Sequence, residues 1–235
     1  MPQINRKSLL ITGALLIIPI YLFKYYRQLK RDYEEKLLFS KRHNCVVTYR
    51  PRKGFFGWPL DCDSKKCSPN NVEELYQPLL YFIRTAQHSL DVCVMHITVN
   101  CLVSELVKAK RRGVQIRALL NLPTNKGCIQ QQVKVLNDEG IECQFFVSAS
   151  AELEAIMHHK FMVKDYCDEG GYVCTGSMNF SVSSVLHNYE FFVFMSTPQV
   201  VEAFKKNFEE CWKNVRIDNE GLINRTILDQ AQLAT

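Results

Sequence analysis

The sequence predicts an α/β fold, a mixed sheet flanked by helices and preceded by an N-terminal transmembrane helix. Three observations predict it. Between residues 71 and 147 helix-like and strand-like segments alternate, the order that builds a partly parallel sheet with helices on its faces. From 161 to 195 several short strand-like runs follow one another, and near the N-terminus lies an uncharged apolar run. The composition, 47% hydrophobic and 23% charged over 235 residues, is that of a globular chain and excludes disorder, collagen and coiled coil. A net charge of +5 suits an anionic partner, nucleic acid or acidic lipid, without requiring one.

The apolar run is Leu9 to Phe23, LLITGALLIIPIYLF, 15 residues without a charge. As a helix it spans about 22 Å, short against a hydrocarbon core of about 30 Å, with Tyr25 and Tyr26 extending it into the interface. No small residues at its end mark a cleavage site, so it reads as an uncleaved anchor, about 9–26; the competing reading is a buried core helix. Arg6 and Lys7 precede it, whereas Lys24, Arg27, Lys30 and Arg31 follow. The heavier positive flank keeps the folded part in the cytosol. A short anchor with basic flanks suits thin bilayers such as the mitochondrial outer membrane.

Residues 24–43 read as a charged helical stalk, and 44–71 as an irregular stretch punctuated by Pro51, Gly54, Gly57, Pro59 and Pro69. Asn71 with Glu74 makes a capping-box pattern ahead of Leu75, Leu79, Phe82 and Ile83, and Pro78 predicts a kink or a displaced start. SLDVCVMHIT (89–98) reads as a strand buried on both faces. Asn100 is expected to cap a helix through Arg112 that Gly113 ends, and VQIRALL (114–120) completes a βαβ unit. A helix over 129–137 and a strand over 141–147 continue the alternation. FMVKD (161–165), YVCTGS (172–177) and YEFFVFM (189–195) are further strands. A last helix opens at Thr197 and Pro198 with Val201, Phe204, Phe208, Trp212 and Val215 on one face; 216–235 read as a loosely held tail.

Chemistry-bearing residues concentrate between His158 and Glu190. In a strand His158 and Lys160 share a side, with His159 and Phe161 on the other. An imidazole and an ammonium on one spot suit a phosphodiester: the first attacks or transfers a proton near neutral pH, the second holds anionic oxygens. Ser177 and Asn179, in a glycine-containing turn, offer a hydroxyl and an amide to phosphate. Asp165 either belongs to the reaction centre or braces a turn, and Glu190 is a candidate to orient a histidine. Cys93, Cys143 and Cys174 lie in apolar runs and read as small buried hydrophobes.

His158-x-Lys160, four residues, Asp165, then Gly176-Ser177-x-Asn179 resembles the HKD signature of the phospholipase D superfamily. The ten residues between Asp165 and Gly176 are read as an enlarged turn next to the site. With the anchor, SLDVCVMHIT, MHHKFMVKD, TGSMNFS and NYEFFVF, the chain resembles the Zucchini family, also called mitochondrial phospholipase D or mitochondrial cardiolipin hydrolase. That resemblance implies a phospholipase D-like catalytic domain over 72–215 with His158, Lys160 and Asp165 catalytic and Ser177, Asn179 and Glu190 supporting. It also implies a homodimer, because the family uses two histidines and this chain carries one motif. No cofactor or metal takes part in that chemistry. A small zinc element often precedes the family's core, so Cys45, Cys62 and Cys67 are candidate structural ligands, with His43 or His88 as the fourth.

Three functions compete, in the order in which the sequence favours them. The first is endonucleolytic cleavage of single-stranded RNA in piwi-interacting RNA production, with Lys126 and the Lys108, Lys110, Arg111, Arg112 cluster offering phosphate contacts. The alternative reading of that cluster is a solvated helix end. The second is hydrolysis of cardiolipin to phosphatidate in the membrane that holds the anchor, and the third is a non-catalytic scaffold on the mitochondrial surface. The sequence points to no further protein partner.

Overall fold

A computed structural model describes residues 6–59, 71–121, 131–146 and 156–221. Two compact units divide at residue 41. The first is a single helix, α1 (Arg6–Arg42), with Pro19 inside it. Leu15, Ile17, Ile18, Ile20, Leu22 and Phe23 are exposed along it. Among the described residues no helix is long and apolar enough to cross a membrane.

The second unit is built on one sheet of eight strands: β1 (Cys45–Arg50), β2 (Gly54–Phe56), β3 (Ser89–Val94), β4 (Gln115–Asn121), β5 (Glu142–Phe146), β6 (Lys160–Cys167), β7 (Gly170–Gly176) and β8 (Glu190–Met195). Their order is β2-β1-β8-β7-β6-β3-β4-β5. β3, β4 and β5 are parallel, and the remaining pairs antiparallel. The helices are α2 (Val72–Leu75), α3 (Gln77–Arg84), α4 (Asn100–Arg111), α5 (Gln131–Asp138), α6 (Val182–His187) and α7 (Pro198–Gly221).

Period-two alternation sorts the strands into two cores. Met162 and Cys174 face a large cluster that includes Leu79, Phe82, Leu102 and Leu106 of α3 and α4. Phe161, Val163 and Val173 face a smaller one with Val201, Phe208 and Val215 of α7. The stripe expected on α7 is buried or half-buried against this face, and Phe161 meets Phe204 and Phe208 edge-on. Each fully buried aromatic of this kind contributes about 1.5–3 kcal/mol. Arg117 of β4 fastens the same helix. It bonds Asp91 and Glu209 and lies over the rings of Phe208 and Trp212.

Several local expectations change. Pro78 sits in the first turn of α3, so of the kink and the displaced start expected for it the chain takes the displaced start. Asn71 does cap α2, accepting from Glu73 N and Glu74 N. The N-cap of α4 is Val99, not Asn100, whose side chain instead accepts from Gln132. Residues 45–56, expected to be irregular, form the β1–β2 hairpin, and β1 pairs with β8. The ten residues after Asp165 mostly extend the β6–β7 hairpin, whose tip at Asp168 and Glu169 lies at the opposite end of β6 from His158. The enlarged turn is therefore not next to the site. Cys93 and Cys174 are fully buried and Cys143 is half-buried, and all three are free thiols.

Candidate active site

Because β6 runs antiparallel to β3, one edge of the sheet collects the carboxyl ends of β3, β4 and β7 and the amino ends of β6 and β8. Open α/β sheets hold ligands beyond the carboxyl ends of their parallel strands. At this edge lie His96, Asn121, His158 to Lys160, Gly176 to Asn179 and Asn188 to Glu190.

His158 lies two residues before β6 and is exposed, whereas Lys160, the first residue of the strand, is only 6% exposed. Lys160 Nζ donates to the His158 carbonyl at 2.9 Å, while the His159 ring turns the other way onto Phe161. Alternation thus puts the lysine beside His158 and the second histidine into an aromatic contact. Burial holds the Lys160 ammonium below the ordinary lysine value, and the Glu190 carboxylate opposes that shift. Asn121 Oδ1 accepts from Met157 N at 2.9 Å and so steers the segment that delivers His158.

The β7–α6 turn supplies the other wall. A Cβ on Gly176 would stand 1.9 Å from the Phe191 carbonyl, so β8 can approach only a glycine there. Ser177 Oγ accepts from Phe191 N at 3.2 Å and donates to the Glu190 carboxylate, which also accepts from Asn188 Nδ2 at 3.0 Å. Glu190 is therefore bonded to Ser177 and Asn188 rather than to a histidine. Tyr76, between α2 and α3, pins the turn by donating to the Ser181 carbonyl at 2.9 Å, and burial raises its phenol well above the usual range. Asn179 Oδ1 is sealed from solvent with no hydrogen-bond partner.

Asp165 does not join this group. It lies five strand residues, about 16 Å, beyond Lys160. There it has φ +50° and accepts from the backbone N–H groups of Gln87, His88 and Ser89. Of the two roles open to it, the geometry is that of the brace, tying the end of β6 to the α3–β3 turn.

His96, one residue beyond Met95 and just past β3, is the group that sequence reasoning missed. It lies inside the apolar run 89–98, where a lone histidine is the signal that marks it. Its ring is half-buried, Nδ1 has no partner, and its basicity is lowered by burial and then by the charges of Lys160 and His158.

The zinc candidates Cys62 and Cys67 lie outside the described residues, as does Lys126. His43 is buried and bonded to Lys164, Cys45 donates to the Arg42 carbonyl with its thiol pushed up to about 11 by burial, and His88 stands at the α3–β3 turn. No described group of three metal-binding side chains forms. The basic cluster ends α4 at the far edge of the sheet. There Lys108 and Arg112 meet Glu105, and Arg111 meets Glu139.

A family model described as cardiolipin synthase, PLD-like domain matches residues 79–212, more than half of the chain. Mitochondrial cardiolipin hydrolase of Xenopus laevis is 26% identical over 200 residues, covering 84% of this chain and 85% of that protein. The Mus musculus protein of the same name is 25% identical over 200 residues, covering 85% and 84%. Among solved structures, NucT from Helicobacter pylori is similar with a TM-score of 0.51 at 16% identity, covering 57% of this chain and 85% of that one, a likeness of fold. A match running from α3 into α7 takes in both walls of the sheet edge, and this chain belongs to the phospholipase D-like family, as a hydrolase of phosphodiester bonds.

Proposed function

We propose that the chain cleaves a phosphodiester through a covalent intermediate on His158. The observation that carries this reading is the meeting of an exposed imidazole, a nearly buried ammonium and a serine–carboxylate–amide chain at one sheet edge. His158 attacks phosphorus and the bond to the leaving oxygen breaks. A second imidazole gives that oxygen its proton, then takes one from the water that splits the phosphorus–nitrogen bond. Lys160 holds the non-bridging oxygens, with Ser177 and Asn179 lining the opposite side. With one motif per chain, the partner subunit's His158 supplies the second imidazole in a two-fold homodimer. No step runs through a metal.

The substrate favoured here is a cardiolipin-type phospholipid. Ile156, Val182, Tyr189 and Phe191 are 46%, 42%, 81% and 44% exposed and flank His158, Asn179 and Glu190 in the chain, an apolar rim suited to acyl chains. Of the basic cluster that would favour RNA, Lys108, Arg111 and Arg112 are paired with carboxylates at the other end of α4. Single-stranded RNA is the second reading, favoured by the net charge of +5 and by Tyr189, an exposed ring on which a base can stack. The exposed apolar residues of α1 and the names of the relatives support attachment to a mitochondrial membrane, and the short apolar run with its heavier basic flank on the carboxyl side supports the outer membrane with the catalytic unit in the cytosol.

The full chain in detergent, offered cardiolipin liposomes and labelled single-stranded RNA with EDTA present, tests the reading. Release of phosphatidate that His158→Ala abolishes is expected. Cleavage of RNA alone would reverse the ranking, and a strict magnesium requirement would contradict the mechanism.

A further inference from the structure

His96 belongs to the same sheet edge but is absorbed by none of the roles above. Its backbone is fixed on two sides: Met95 N donates to the His159 carbonyl at 3.2 Å, and Phe180 N donates to the His96 carbonyl at 3.1 Å. The residue is thereby clamped between the segment that carries His158 and Lys160 and the turn that carries Asn179. His96 Nδ1 and Asn179 Oδ1 are both sealed without a partner, on segments that the Phe180–His96 backbone bond joins. Buried polar groups in native proteins are nearly always paired, so an imidazole left without a partner at the edge that holds His158 and Lys160 is a group still open to a ligand through its other nitrogen. With Nδ1 closed off, Nε2 is the nitrogen through which the ring can meet that ligand.

We propose that His96 is a third imidazole of the reaction centre, a substrate-binding group that donates a neutral N–H from Nε2 to a non-bridging phosphoryl oxygen beside Lys160. Burial and the neighbouring charges of Lys160 and His158 favour the uncharged ring. A neutral imidazole carries one N–H and one lone pair, and an unpartnered interior nitrogen is least costly as the lone pair. The proton then sits on Nε2. A neutral donor strengthens as charge grows on the phosphoryl oxygens, yet adds no further cation to a site that already holds an ammonium. The inference rests on the proposed phosphodiesterase reading and deepens it.

The test uses the full chain with bis(p-nitrophenyl) phosphate, a diester common to the lipid and RNA readings. His96→Leu is expected to lower kcat/KM on the order of 100-fold. His96→Gln, which places an amide N–H where Nε2 stood, should recover most of that loss, and His96→Asn, whose amide falls at the Nδ1 position, should not. Equal losses in the Leu and Gln variants, or none in either, overturn the proposal. Independently of any variant, orthovanadate added to the wild-type chain labelled with 15N-histidine should shift the His96 Nε2 resonance, and an unmoved resonance overturns it. Full activity in His158→Ala would sink the underlying reading and this inference with it. Loss in His158→Ala beside an unaffected His96→Leu sinks this inference alone.

Discussion

Two lysines on one face of β6 show how position decides what a charge does. Lys160 ends at the sheet edge, where its ammonium reaches the His158 carbonyl. Lys164, four residues on, is fully buried. It bonds His43 and Thr85 between the rings of Phe82 and Tyr172, and burial pulls it down to about 7. Lys160→Ala should reduce turnover by about 100-fold or more while the melting temperature stays within a few degrees, as activity and thermal melts on one preparation would show. Loss of the Lys160 proton should end activity at a pH below the ordinary lysine value, which a pH–rate profile checks. For Lys164 the unfolded chain binds the extra proton between about 7 and 10.5, so its destabilising contribution is complete below 7 and is relieved as pH rises through that window. Wild type should therefore gain stability relative to Lys164→Met as pH is raised from 7 to 10; a constant difference would remove Lys164 from the balance.

At the scale of elements, the two ends of β6 do different work. The amino end carries Lys160 and the carboxyl end carries Asp165, whose carboxylate gathers three backbone N–H groups of the α3–β3 turn. Asp165→Ala should cost about 2–3 kcal/mol of stability, since bonds to a charged acceptor are among the stronger ones and φ +50° suits alanine poorly. Turnover per folded molecule should change little; a variant that is stable but inactive would return Asp165 to the reaction. The motif's spacing made His158 and Lys160 legible in the sequence, because alternation in a strand needs no tertiary information. The place of Asp165 was not, because only the register of β6 against β3 reveals which end of the sheet a strand residue occupies. The β1–β2 hairpin was hidden by prolines and glycines at its turn and edges, although Val47 and Tyr49 alternate inward as a strand requires. His96 was hidden by hydrophobicity: in an apolar run it reads as one more buried ring until Phe180 is seen bonded to its carbonyl.

For the molecule as a whole, the sheet is a rigid frame that brings five separate segments to one edge, and each segment is fixed by backbone or side-chain bonds before any substrate arrives. Alternating elements and a single apolar stripe on α7 made that frame readable in advance, since both follow from periodicity alone. Substrate choice was not readable, because it depends on which side chains stay exposed around the edge. The central claim is that His158 takes the phosphoryl group onto its ring. Full-length chain turned over on a 32P-labelled diester, quenched in alkali and mapped by peptide sequencing, tests it most directly. Label on His158, absent from His158→Ala, is the predicted result; label on another residue, or turnover at the wild-type rate in His158→Ala, would contradict it.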